Sequence, residues 1–309
     1  MNPQAENRIA SLAGQRKVGA GDTADERLIA AIGAVSKVVI FTGAGMSAES
    51  GIPTFRDRLT GLWAHTDPME IATPWAFRAD PQRVWDWHVH LAGAVRAAKP
   101  NTGHRAVADL ERCGVELTVI TQNIDNLHQH AGSTKVIELH GNLLRLKSFV
   151  DEEAAFAAEV PPVICPVCDG YAAWDACDPY ADRSDLLAIE LCAGRVPCCP
   201  GCGALLRPDV VWFGEPLAPE ALDAAWAAVE ACDLLIAVGA SLEVEPAASL
   251  PWRALQKGAQ VIEVNPAPTA LAEHCHASFA GSAAEVLPTL FASINQSIEE
   301  RITNSPVCD

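Results

Sequence analysis

The stretch KVVIFTGAGMSA, residues 37–48, joins a short β-branched run to a glycine-rich turn. The run Lys37–Phe41 is apolar and of strand length, which is typical of a buried strand in a parallel sheet. The residues that follow it, Gly43 to Ala48, fit the pattern G-x-G-x-x-G/A. Glycines in this pattern permit a tight turn and let backbone N–H groups approach a pyrophosphate. A tight turn after a strand needs glycines even without a ligand, so both interpretations stay open here.

Strand-like and helix-like segments alternate along the rest of the chain. This alternation predicts an α/β fold with a mostly parallel sheet. The further predicted strands are Leu117–Ile120, Val136–Leu139, Leu234–Val238 and Val261–Val264, and the predicted helices are Glu26–Ser36, Pro81–Ala98, Thr102–Arg112, Pro219–Ala231, Pro246–Lys257 and Ala283–Arg301. The acidic residue that a dehydrogenase carries about 20 residues after the glycine motif is missing, so an ordinary Rossmann dehydrogenase is not expected.

Two stretches break the alternation and predict a second, smaller module. Residues 51–100 contain no strand-like run, and residues 147–207 are rich in Cys, Asp, Pro and Gly. A region that cannot build its own apolar core usually needs a staple. The predicted division is a tail at 1–25, a large Rossmann-like domain formed by 26–64, 101–146 and 208–295, a helical part of the small module at 65–100, its cysteine-rich part at 147–207, and a C-terminal extension at 296–309.

The charge balance and apolar patterning restrict the function classes. The 309 residues include 22 Lys and Arg against 39 Asp and Glu, giving a net charge of −17. Such a chain repels phosphates at long range, which argues against a general nucleic-acid or anionic-membrane binder. No apolar run approaches the roughly 20 residues that span a bilayer, and the first residues lack a signal core, so we expect a soluble, cytoplasmic protein.

Eleven cysteines in a cytoplasmic chain need an explanation other than disulfides. Two C-x-x-C pairs, Cys165 with Cys168 and Cys199 with Cys202, stand about 30 residues apart, a spacing typical of a closed structural Zn²⁺ site. Unrelated buried cysteines are the plainer alternative. Cys198, Cys177 and Cys192 could also compete as ligands.

Polar residues follow each predicted strand, where open α/β sheets bind their ligands. Amides, a carboxylate, a hydroxyl and an imidazole are among them, and this set suits a ligand with a ribose and an amide and a base nearby. Taken singly, each residue has a plainer interpretation as a turn, a helix cap or a structural histidine. These segments are Thr121–His128, His140–Asn142, Gly239–Leu242 and Asn265–Pro266.

Taken together, the motifs resemble the sirtuins, the Sir2 family of NAD-dependent protein-lysine deacylases. The matching segments occur in the family's order and cover about residues 28–290. They are GAGMSAESGIPTFR (Gly43–Arg56), TQNIDNLH (Thr121–His128), ELHGN (Glu138–Asn142), the two C-x-x-C pairs, LLRPDVVWFGE (Leu205–Glu215), VGASLEVEPA (Val238–Ala247) and VIEVNP (Val261–Pro266). The resemblance implies a Rossmann-like large domain, a smaller zinc-and-helix module, and a cleft between them.

The resemblance also implies roles for individual residues. His140 would be the general base, and Asn123 and Asp125 would hold the nicotinamide amide and its ribose. NAD as co-substrate would contact Gly43, Ala44, Gly45, Ser47, Thr54, Phe55, Arg56, Gln122, Asn123, Ile124, Asp125, Gly239, Ala240, Ser241, Asn265 and Pro266. An acylated-lysine peptide would add a strand between two walls that include Val211, Trp212, Phe213, Gly214, Glu215, Leu242 and Val244. Cys165, Cys168, Cys199 and Cys202 would hold one structural zinc ion.

One departure from the family pattern bears on the acyl group. The branch that includes desuccinylases carries Tyr-x-x-Arg to bind an acidic acyl group, whereas His88 and Leu91 stand at those positions here. Without the arginine a buried succinyl carboxylate would be unpaired and costly. The sequence therefore predicts a neutral acyl group, although a His88 charged at low pH could replace the arginine in part.

Three functions compete at this point. A protein deacylase is favoured, because His140 and both peptide-flanking segments are present. An ADP-ribosyltransferase or NAD hydrolase on the same scaffold would not need a peptide groove. A non-enzymatic NAD sensor would not need the set Asn123, Asp125 and His140.

Overall fold

The computed structural model describes residues 36–52, 67–149, 193–199 and 203–292. Within these residues no helix is long and apolar enough to cross a membrane. Several predictions fall outside the described ranges. They concern the helix predicted at Glu26–Ser36 except for Ser36, the terminal segments 1–25 and 296–309, the NAD contacts Thr54, Phe55 and Arg56, and the zinc ligands Cys165, Cys168 and Cys202.

Six parallel strands form the central sheet, as the alternation of segments predicts. They are β1 (Lys37–Thr42), β2 (Glu116–Thr121), β3 (Val136–Glu138), β6 (Leu234–Val238), β7 (Gln260–Asn265) and β8 (Ala277–Ala280). Their spatial order is β3-β2-β1-β6-β7-β8, with every neighbouring pair parallel. This is the doubly wound order of a Rossmann-like fold, so the predicted fold class is confirmed.

Strand β1 is buried on both faces. Val38 and Ile40 pack with one group of helices, whereas Val39 and Phe41 pack with the other group. A strand covered on both sides has no solvent face, which explains its continuous apolar run. Strand β8 (ASFA) was not predicted, because none of its four residues is fully buried and it carries no comparable apolar run.

The helices of the main domain are α3 (Thr102–Arg112), α4 (Leu127–Ala131), α5 (Pro219–Ala231), α6 (Ser249–Lys257) and α7 (283–292), and α1 (Pro74–Ala79) and α2 (Pro81–Ala97) belong to the smaller unit. Helices α3 and α5 have their predicted bounds and α2 ends one residue early. The short helices α1 and α4 were not predicted, and the predicted end of α7 at Arg301 lies outside the described residues. Asn101 caps α3, since its side chain accepts from the His104 N–H while its own N–H donates to His104 Nδ1. Helix α6 begins three residues later than predicted, after the turn at residues 245–248.

A two-stranded antiparallel sheet lies outside the main sheet and was not predicted. It consists of β4 (Gly141–Ser148) and β5 (Leu206–Val210). Its apolar residues Leu143 and Val210 pack with Phe77 and Trp85 of helices α1 and α2. Phe149 and Leu205, from the second stretch that breaks the alternation, are partly buried against the same core. Leu143 and Val210 belong to this core although they were assigned to the large domain, and the division into two units stays a prediction.

Candidate functional site

The glycine turn packs directly against the loop that follows β6. Gly43 N donates to Val238 O at 3.0 Å, and Gly45 N donates to Gly239 O at 2.9 Å. A Cβ atom at Gly45 would lie 2.7 Å from Gly239 Cα. Contact between two backbones therefore requires glycine here with or without a ligand.

Strands β1 and β6 are neighbours at the point where the strand order reverses. The chain leaves β1 toward β2 on one side and reaches β6 and β7 on the other. Loops beyond the carboxyl ends of strands at such a point leave a crevice, which is where ligands bind in doubly wound sheets. Asn265, the last residue of β7, closes part of this edge by donating from Nδ2 to Ala240 O at 2.9 Å.

Three predicted NAD contacts meet at this edge. Ser47 Oγ donates to Asp125 Oδ2 at 2.6 Å, and Asn123 Nδ2 donates to Ser47 Oγ at 3.1 Å. The other carboxylate oxygen of Asp125 accepts from the Leu127 N–H at 2.9 Å. Burial raises the pKa of Asp125, and these donors act in the opposite direction. The cluster presents an amide, a hydroxyl and a carboxylate, which are groups that bind ribose hydroxyls and a carboxamide.

A second layer of polar residues lies beneath this cluster. His104 Nε2 lies 3.5 Å from Ser47 Oγ, and His128 Nε2 lies 3.1 Å from Thr42 Oγ1. The two imidazole rings are 4.9 Å apart, and burial lowers the pKa of both. Sequence reasoning did not single out His104. The one sequence signal for His104 is that Asn101 precedes it by three residues, which is the spacing of a capping box.

His140 follows β3 and faces the same edge. Its Nδ1 lies 3.0 Å from Gln122 O. A carbonyl can only accept, so Nδ1 carries the proton and Nε2 is left as the basic nitrogen. Burial lowers the pKa of His140, and the bond to Gln122 opposes this shift. The imidazole is therefore neutral at pH 7 and able to accept a proton.

The predicted peptide wall, Val211–Glu215, starts next to His140. Val211 N donates to His140 O at 2.9 Å. Phe213 and Gly214 are exposed, whereas the Trp212 side chain is buried. Trp212 therefore points away from the exposed surface of this wall, and its role there is packing.

An ion pair that sequence reasoning missed holds this wall. The guanidinium of Arg207 makes two contacts with the carboxylate of Glu215, and its Nη2 donates to Val210 O at 2.6 Å. Arg207 Cζ lies 3.3 Å from the centre of the Trp212 ring, and Glu215 Oε2 accepts the backbone N–H of Trp212 at 2.8 Å. The turn at residues 211–215 is thus tied to β5 by charge-assisted bonds.

Known proteins share this arrangement of segments. Residues 43–246 match the model of the Sir2 family. The chain belongs to this family. It is 41% identical to an NAD-dependent protein deacylase of Thermococcus sibiricus over 85% of this chain and 94% of that protein. It is 45% identical to NAD-dependent protein deacylase 1 of Pseudomonas aeruginosa, over 82% of this chain and 92% of that protein.

A solved structure extends the likeness to three dimensions. The crystal structure of a Sir2 homolog–NAD complex matches this Sir2-family chain with a TM-score of 0.73 and 37% identity, over 93% of this chain and 99% of that one.

The second predicted wall of this Sir2-family chain lies after β6. It contains Leu242 with a positive φ of 58° and Val244 with an exposed side chain.

His88 and Leu91, the residues that depart from the desuccinylase pattern, are both buried in the small core. His88 Nδ1 donates to Val84 O at 2.8 Å, and its Nε2 accepts from Trp212 Nε1 at 3.3 Å. Burial lowers the pKa of His88 to about 4. Protonation of His88 would place an N–H on Nε2 opposite the indole N–H of Trp212, so His88 is neutral in this Sir2-family chain. The arrangement disfavours a charged His88 as a replacement for arginine.

One predicted zinc ligand, Cys199, lies in a tight turn of this Sir2-family chain. Cys199 N donates to Ala204 O and Gly203 N donates to Cys199 O, both at 2.8 Å. Cys198 pairs with Leu205 as an isolated bridge. Across the described ranges there is no group of three His, Cys, Asp or Glu residues that could hold a metal ion. Three of the four predicted ligands lie outside those ranges.

Proposed function

We propose that this Sir2-family chain removes acyl groups from protein lysines in a reaction that consumes NAD and yields nicotinamide and O-acyl-ADP-ribose. The observation that carries the proposal is the meeting of Ser47, Asn123 and Asp125 at one edge of the sheet, with His140 beside the Val211–Glu215 wall. Relatives at 41–45% identity that are named NAD-dependent protein deacylases support it.

The proposed roles of the residues follow from their chemistry. NAD supplies a cationic leaving group, nicotinamide, and the ribose that receives the acyl group. Asn123 and Asp125 bind the carboxamide and the ribose, and Ser47 holds Asp125 in place through its 2.6 Å bond. His140 accepts a proton from a ribose hydroxyl at Nε2, while Gln122 O fixes its tautomer. The remaining part of NAD is proposed to bind at the same edge of the sheet, beside the turn Gly43–Gly45 and Asn265.

Deacylation needs a peptide groove, whereas the alternative, an NAD hydrolase or ADP-ribosyltransferase, does not. The test is to incubate the purified chain with NAD and lysine peptides carrying acetyl, butyryl, succinyl or lipoyl groups. Nicotinamide release and the mass of each peptide are followed together. We expect nicotinamide to form only with an acylated peptide and in equal amount to the acyl groups lost. Release that is independent of peptide would favour the alternative and contradict the proposal.

We expect the same panel to show a neutral acyl preference. A succinyl carboxylate beside the neutral His88 and the apolar Leu91 would lack a cationic partner. The kcat/KM for the succinyl peptide should be about 10- to 100-fold lower than that for the acetyl peptide, because an unsatisfied buried charge is costly.

The double variant His88→Tyr/Leu91→Arg should raise desuccinylation relative to deacetylation. Leu91→Met is the matched control, because it keeps the position apolar and should leave the ratio unchanged. Efficient desuccinylation by the unmodified chain would contradict the preference.

Cys165, Cys168, Cys199 and Cys202 are proposed to bind one structural zinc ion. The backbone hydrogen bonds of Cys199 with Gly203 and Ala204 support this role for Cys199, because zinc-binding C-x-x-C pairs occur in short turns. We expect about one zinc ion per purified chain. Cys199→Ser should lose the metal and lower the Tm, whereas Cys113→Ser, an exposed cysteine just after α3, should change neither. Retention of zinc by Cys199→Ser would remove Cys199 from the ligand set.

A further inference from the structure

Large apolar side chains are exposed at few places on the described part of the chain. Four such residues are Met69, Trp75, Phe213 and Val244. Phe213 and Val244 lie on the two proposed peptide walls. Trp75 lies outside both wall segments in the sequence, so only its place in the fold relates it to the groove.

Trp75 packs on the backbone of the first wall. A Cβ atom at Gly214 would lie 2.9 Å from Cζ3 and 3.2 Å from Cη2 of the Trp75 ring. The segment before α1 is tied to the same wall, because Phe213 N donates to Ala72 O at 2.9 Å. The indole ring thus continues the surface of the wall beyond Gly214.

The small core does not account for Trp75. Phe77 of helix α1 is fully buried in this core and packs against Trp212. Trp75, two residues earlier, remains 48% exposed. Its position is nevertheless fixed, because Pro74 begins α1 and Thr73 caps it by accepting the Ala76 N–H at 3.1 Å. A rigid, half-exposed aromatic ring offers contact area at a low entropic cost.

We infer that Trp75 forms a subsite at the end of the peptide groove and binds an apolar or aromatic side chain adjacent to the acyl-lysine of the substrate. This inference rests on the proposed deacylase function, since it extends the groove of that same site. The peptide strand runs along Val211–Glu215, so side chains flanking the acyl-lysine pass Gly214 and the ring stacked on it. Trp75 is then a residue that determines the sequence context of the substrate.

The test compares acetyl-lysine peptides that carry Leu, Trp, Gly or Glu on either side of the acetyl-lysine. The unmodified chain should prefer Leu or Trp to Gly by about fivefold in kcat/KM, the range of an aromatic contact. Trp75→Ala should abolish this preference and Trp75→Phe should keep most of it. A capped single acetyl-lysine, which has no flanking side chain, should be deacetylated equally by all three proteins.

Met69→Ala provides the matched control, because it removes a side chain of similar exposure, 46%, from the turn six residues before Trp75. It should leave the preference unchanged. The inference is overturned if Trp75→Ala keeps the preference, if it loses activity equally on the single acetyl-lysine, or if Met69→Ala has the same effect. Peptide-independent nicotinamide release by the unmodified chain would instead overturn the proposed function itself.

Discussion

His140→Ala is expected to lower kcat for peptide deacylation by about 10²- to 10⁴-fold, the usual contribution of a positioned general base. The reason is that Nε2 of His140 is the free basic nitrogen beside the peptide wall, since Nδ1 is held by Gln122 O. The measurement is loss of the acyl group from an acetyl-lysine peptide under saturating NAD, followed by mass.

A second histidine provides the control for this experiment. His130→Ala removes an exposed imidazole on α4 that lies 3.3 Å from the Asn126 side chain. It should retain nearly all activity, because it lies outside the proposed proton path. If His140→Ala retained the activity of the unmodified chain, the assignment of His140 as general base would fail. Equal Tm values for the two variants would exclude unfolding as the cause.

Glu215→Ala should lower the free energy of unfolding by about 3–5 kcal/mol, the cost of leaving a buried charge without its partner. The side chain of Arg207 is 3% exposed and that of Glu215 is 21% exposed. Removing the carboxylate also leaves the backbone N–H of Trp212 without its acceptor. Urea unfolding gives this difference, provided that the slope with denaturant is unchanged.

Two comparisons sharpen the Glu215 experiment. Glu70→Ala breaks the Arg83–Glu70 pair, in which both side chains are more than half exposed, and should cost less than about 1 kcal/mol. The double variant Arg207→Met/Glu215→Leu should recover much of the loss, because no unpaired charge then remains buried. An equal effect of Glu215→Ala and Glu70→Ala would contradict the role of the pair in holding the wall.

The sheet was predictable wherever a strand is apolar throughout. Strand β6 was predicted to the residue, and β1 and β2 each extend by one or two polar residues at their ends. Strand β5 (LRPDV) was missed because it buries Arg207 and Asp209, and such residues suggest a loop when they are met in sequence. Both are buried with a charged partner: Arg207 pairs with Glu215 across the turn that follows β5, and Asp209 pairs at 3.2 Å with Arg145, which lies 64 residues before it in the sequence.

The candidate site was likewise predictable from the sequence only in part. Motif order predicted Ser47, Asn123, Asp125 and His140 as site residues, because they lie in local patterns that follow strands. The contacts of His104 with Ser47 and of Trp212 with His88 join residues 57 and 124 positions apart, so no local pattern reports them. The direction of a side chain on an irregular wall, as at Trp212, likewise depends on what packs beneath it.

The sequence by itself determined the family, the parallel α/β sheet and the edge at which a ligand would bind. It could do so because strand apolarity, glycine turns and helix caps are local properties of the chain. Only the tertiary structure decided that His88 is neutral, that Arg207 and Glu215 hold the peptide wall, and that Trp75 stacks on Gly214. Each of these depends on burial and on partners brought from distant segments, and those exist only once the chain has folded.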